Sequence, residues 1–104
     1  MYAPGNVVPS VIALAEAMAF AYRLGRAGLP CPQISLVSDG EINFLWHRGA
    51  LHIDLGFYGD GTYSFYARFP TAEGMEELLA DDIPVSEPLP PAVGDSLRKG
   101  YATL

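Results

Sequence analysis

From Gln33 to Phe69 apolar and polar residues alternate through four consecutive runs separated by glycine-bearing turns, the period-2 signature of a half-buried antiparallel sheet. Turn chemistry sets the pairing, because residues directly opposed in an antiparallel pair share a face. A three-residue loop, Ser38-Asp39-Gly40 with Gly40 left-handed, places Leu36 opposite Ile42. A second such loop, Gly59-Asp60-Gly61, places Phe57 opposite Tyr63, Leu55 opposite Phe65 and Ile53 opposite Ala67. Between them, the connection around Arg48-Gly49 must hold an even number of residues, read here as pairing Trp46 with Leu51, Phe44 with Ile53 and Ile42 with Leu55. One apolar face results, with Trp46 in it. The opposite face carries three rows: Gln33, Leu45, His52 and Arg68; Ser35, Asn43, Asp54 and Tyr66; Val37, Glu41, Gly56 and Ser64.

Ahead of the sheet, the pattern predicts a helix over 8–27, capped by Asn6 or Ser10, with Pro9 in the first turn. Gly28 supplies the left-handed residue at its end, and Pro30 and Pro32 prevent continuation. Val11, Leu14, Met18, Ala21 and Tyr22 form one helical stripe, with Ala13, Ala17, Phe20 and Leu24 beside it and Glu16, Arg23 and Arg26 on the remaining side. That arc is wider than one sheet face requires, so other parts of the chain or a second copy must cover the excess. The apolar run falls short of the ~20 residues a membrane-spanning helix needs. It also has Glu16 at its centre and no preceding Lys or Arg, which reads as a buried helix and not as a signal peptide.

After Pro70 the sequence predicts a short helix from Thr71 through Met75, Leu78 and Leu79, then an extended segment imposed by the prolines at 84, 88, 90 and 91. A last helix starts at Pro90 or Pro91, turns Val93 and Leu97 inward, carries Arg98 and Lys99 at its end and closes on Gly100. The expected fold is α+β: a four-stranded antiparallel meander, a long N-terminal helix packed on one face, and a Pro-rich, acidic C-terminal segment with short helices. A chain of 104 residues, half of them apolar, fits a single domain over 1–104.

Charge changes this picture. Twelve acids against six bases give a net charge of -6, which opposes direct nucleic-acid binding. Most of that excess lies after residue 69, and no basic residue stands between Pro70 and Asp95. Glu73, Glu76, Glu77, Asp81, Asp82 and Glu87 therefore make a candidate negative patch for a protein partner with a basic surface. Tyr66, Arg68 and His52, with Leu45, give the open sheet face an aromatic and cationic mixture typical of protein interfaces. His47, His52 and Asp54 on that face are the nearest approach to a metal or acid–base constellation, but a third protein ligand is not evident. No metal, cofactor or catalytic residue is expected. The lone Cys31, between two prolines, reads as a small buried hydrophobe; without a second cysteine there is no internal disulfide, which suits the cytoplasm.

The stretch Pro32-Gln33-Ile34-Ser35-Leu36, then Asp39-Gly40-Glu41-Ile42-Asn43-Phe44-Leu45-Trp46, Leu51-His52-Ile53-Asp54-Leu55 and Gly59-Asp60-Gly61-Thr62-Tyr63, resembles small bacterial proteins carried by mobile elements. The resemblance implies a stand-alone bacterial domain without recognised chemistry, in a group whose small acidic members include anti-CRISPR inhibitors. The expectation is then a small acidic, non-enzymatic interaction protein, an inhibitor that occupies a basic, nucleic-acid-binding surface of its partner. Two alternatives stand beside it: a metal-binding protein or enzyme using His47, His52 and Asp54, and a structural homodimer subunit built through the helix.

Overall fold

The computed structural model describes residues 11–36 and 40–101. Helix α1 (Val11–Arg26) ends where the sequence places its stop. Gly28 takes φ 76°, and the amides of Leu29 and Gly28 close on the carbonyls of Leu24 and Gly25, each at 3.0 Å, in a Schellman cap. The expected capping residues Asn6 and Ser10 lie outside the described residues. Strands β1 (Gln33–Leu36), β2 (Ile42–Arg48), β3 (Leu51–Phe57), β4 (Thr62–Thr71) and β5 (Gly74–Pro84) follow, and helix α2 (Pro91–Tyr101) closes the described chain. Neighbouring strands pair antiparallel in sequence order, so the sheet is a five-stranded meander, not the four-stranded one expected. Among the described residues no helix is long and apolar enough to cross a membrane.

Two of the three sequence-derived registers hold. Leu36 pairs with Ile42, and Phe57, Leu55 and Ile53 pair with Tyr63, Phe65 and Ala67. Gly40 and Gly61 carry φ 87° and 85°, although Ser38 and Asp39 lie outside the described residues. Asp60 Oδ1 accepts from the Thr62 amide at 3.0 Å and its hydroxyl at 2.7 Å, which fixes the β3–β4 turn and holds the Asp60 carboxyl below its usual range. The β2–β3 register differs from expectation by two residues. Its turn is the pair Gly49-Ala50, with Gly49 at φ 59°, so Arg48 pairs with Leu51, Trp46 with Ile53 and Phe44 with Leu55. An even loop fixes which face each residue takes but not how far the ladder runs. Faces are therefore as expected, while the rows across the open side are shifted.

The expected helix after Thr71 is strand β5. Thr71 Oγ1 donates to the Gly74 carbonyl at 3.1 Å and accepts from the Glu73 amide at 3.2 Å, tying the turn that folds β5 back on β4. A bulge opposite Ser64 interrupts the ladder, and Asp82 there adopts φ 56°, a conformation that Asp tolerates better than most residues. Pro84 is accommodated because β5 is an edge strand.

The core lies on one side of the sheet. Ile42, Phe44, Trp46, Ile53, Leu55, Phe57 and Tyr63 are each at most 1 % exposed. From α1, Ala13 and Ala17 let the helix approach the strands while Phe20 sets its ring edge-on to Tyr63 and Phe57, centroids 4.8 and 5.3 Å away. The buried stripe of α1 is thus Ala13, Ala17, Phe20 and Leu24; Val11, Leu14, Met18 and Tyr22 of the neighbouring stripe are exposed. From α2, Val93 and Leu97 are fully buried, as expected. Gly100 is inside α2 rather than closing it, and a Cβ there would stand 2.8 Å from Leu51 Cδ2, so its missing side chain makes room for Leu51. Cys31 is exposed, contrary to the expected buried hydrophobe.

Candidate functional site

All six acids singled out from sequence, Glu73, Glu76, Glu77, Asp81, Asp82 and Glu87, are exposed. Five of them lie on the β4–β5 hairpin. Pairing with β4 sorts its side chains between the faces: Glu77 and Leu79 join Arg68 and Tyr66 on the open side, whereas Glu76, Leu78 and Ala80 share the side of Phe69, Ala67 and Phe65. Past the last pairing of β3 with β4, His52 with Arg68, the hairpin continues alone through Phe69–Glu76, Pro70–Met75 and Thr71–Gly74. Among the described residues the ion pairs are His52–Asp54 and Arg98–Asp95, so none of these six carboxylates is held in one, although Arg68 stands opposite Glu77.

On the open face, Tyr66 donates to Glu77 Oε2 at 2.5 Å. This bond raises the Tyr66 hydroxyl above its usual range, partial burial and the Glu77 charge adding and Arg68 opposing. Beside it, Glu41, Asp54 and Asp81 line a depression of ≈ 240 Å³ together with Ser64 and Tyr66. The Glu41 carboxylate crosses over Gly56, in space that a Cβ would occupy. Negative charge consequently spreads from the hairpin across the sheet.

His52, Tyr66 and Arg68 come together, as the sequence suggested, in a second depression of ≈ 340 Å³ with His47 and Met75. The shifted register puts His47 directly opposite His52, ring centroids 5.3 Å apart, instead of diagonal to it. His52 Nε2 lies 3.1 Å from Asp54 Oδ2. Among the described residues no group of three His, Cys, Asp or Glu side chains is placed to hold a metal ion. Leu45 now neighbours Asp54 and sits outside the His52 row.

Sequence reasoning did not place the cavity of ≈ 290 Å³ between α1 and α2, lined by Phe20, Leu24, Leu89 and Arg98. Its wall is tied by Arg23, whose guanidinium donates to the carbonyls of Val85 and Ser86, and by Arg98 Nη2, which donates to the Ala27 carbonyl at 3.1 Å. Nor did sequence show which α1 stripe is left open, since both are apolar. Comparison with protein-family models, curated proteins and solved structures finds no match for this chain.

Proposed function

We propose that this chain is a non-enzymatic protein-interaction domain that lays its acidic β4–β5 hairpin and the adjoining open sheet face on a basic surface of a protein partner. A surface that otherwise binds nucleic acid is the natural target, since the carboxylates then stand in for phosphates, and occupying it would inhibit the partner. The observation that carries this reading is the run from Thr71 to Leu97: it holds no Lys, Arg or His, and among the described residues its exposed acids on β5, and Glu87 after it, form no ion pair. Glu41, Asp54 and Asp81 extend the same sign of potential over the sheet, and a field of that extent speeds encounter with a basic partner.

The test compares association kinetics of the parent and a variant with Glu73, Glu76, Glu77, Asp81 and Asp82 changed to their amides, against a partner recovered by affinity capture. Association should slow by about tenfold or more at low salt, dissociation should change little, and added salt should narrow the gap. Truncating Tyr66 and Arg68 should instead act mainly on dissociation if they anchor the contact. An amide variant that associates as fast as the parent at both low and high salt would refute the proposal.

A further inference from the structure

The orientation of α1 leaves one large apolar surface on the opposite edge of the molecule from the acids. Around the helix, Arg23 lies about 90° to one side of the buried stripe and reaches the Val85 and Ser86 carbonyls, so that flank faces the chain leaving β5. Leu14 lies about 90° to the other side, with Met18, Val11 and Tyr22 further round; α1 packs on β2 and β3, so this second flank faces the β1 side of the sheet. There Ile34 and Leu36 share the core-side face with their partners Phe44 and Ile42 but are 52 and 55 % exposed. With exposures of 45–82 %, Val11, Leu14, Met18, Tyr22, Ile34 and Leu36 leave on the order of 700 Å² of side chain in water, more than a typical monomer's largest patch.

We infer that a second copy of this chain covers that surface, giving a two-fold dimer through α1 and β1. The exposed area approaches the ~800 Å² per partner of a stable interface. Its six residues are all apolar or aromatic: Glu16 and Arg23 lie on the other flank, and Arg26 stands at the margin, its guanidinium over the Tyr22 ring and 3.4 Å from the Tyr22 hydroxyl. That composition is the one found where identical subunits meet. The flank also offers both knobs and hollows, since nothing stands within 4 Å of where a Gly25 Cβ would be. Antiparallel pairing about Met18 seats Val11 of one copy at Gly25 of the other and Leu14 against Tyr22. A net charge of -6 per copy opposes association, but the β5 acids lie four strand spacings from β1, about 19 Å, beyond the ~8 Å screening length at physiological ionic strength, and Glu41, beside Ile42, is on the open face of the sheet away from α1.

Sedimentation equilibrium of the full chain over a concentration series tests this. A mass of twice 11.2 kDa is expected at the upper end. Met18→Glu should raise the dimer dissociation constant by about 30-fold or more, the effect of one lost hot spot. Gly25→Leu should do the same by filling the hollow while favouring the helix, which separates loss of assembly from loss of folding. Leu79→Glu, on exposed β5, should leave the dimer intact. A monomer at every concentration, or a dimer that survives both α1 substitutions, or one that Leu79→Glu dissociates, would overturn the inference. Raised salt should not weaken this contact, in contrast to docking of the acidic hairpin, so the two readings fail separately.

Discussion

Replacing Phe20 by alanine is the sharpest probe of how α1 is held. The helix meets the sheet through two alanines, one leucine and this phenylalanine, which is 2 % exposed and packs edge-on to Phe57 and Tyr63. Truncating a buried phenylalanine costs about 3–5 kcal/mol through lost transfer energy and the cavity left behind. Two aromatic pairs at ~0.5–1.5 kcal/mol each place the expected loss in the upper half of that range. In a domain of this size, at about 4–8 °C per kcal/mol, the melting temperature should fall by roughly 16–40 °C. Met18→Ala, on the exposed stripe, should change monomer stability by less than about 0.5 kcal/mol. Urea titrations at dilutions that keep the chain monomeric, followed by circular dichroism, give both values. If α1 detaches on its own in Phe20→Ala, the slope m of the remaining transition falls as well. A Phe20→Ala protein that melts with the parent, or a Met18→Ala protein that loses more, would mean the helix is rotated from the orientation described.

Two further outcomes are expected. Gly61→Val should destabilise by about 1–2 kcal/mol, and because nothing lies within 4 Å of the added Cβ, the whole loss is backbone strain at φ 85°, measurable by thermal melting. The Tyr63 hydroxyl is pushed up to about 12, chiefly by burial and then by Glu87, with Arg23 opposing. A raised folded-state value means stability that is complete below the unfolded value near 10 and is lost as pH rises towards 12. The parent's stability should therefore fall more steeply over that window than that of Tyr63→Phe, which forgoes the bond to the Glu87 carbonyl but no longer titrates there. Equal slopes would refute the assignment.

The meander from β1 to β4 was legible because its glycine turns fix parity, and parity alone sorts residues between faces. Ladder length was not, which is why His47 and His52 prove to be direct neighbours. Strand β5 was missed for an energetic reason. Met75-Glu76-Glu77-Leu78-Leu79-Ala80 consists of strong helix formers, yet each contributes at most ~0.7 kcal/mol of preference, less than the unpaired edge of β4 gains by taking a partner. Gly74, at φ 130° and immediately before that run, was the turn signal. That the acids are exposed was legible in composition, while their division between two faces depends on the strand. For α1, two apolar stripes left the inward one undetermined until Phe20 found its ring neighbours.

The chain has one tryptophan, and its position makes it a reporter. Trp46 is 1 % exposed on β2, and its indole Nε1 donates to the Pro30 carbonyl, 2.9 Å away in the connection that follows α1. Its emission therefore reads out the seating of the helix and that connection. Lifting α1 while the sheet stays paired would hydrate the indole and shift its fluorescence to the red before the strands melt. A ligand or second copy that tightens the helix would move that red shift to higher temperature or denaturant, with no label attached.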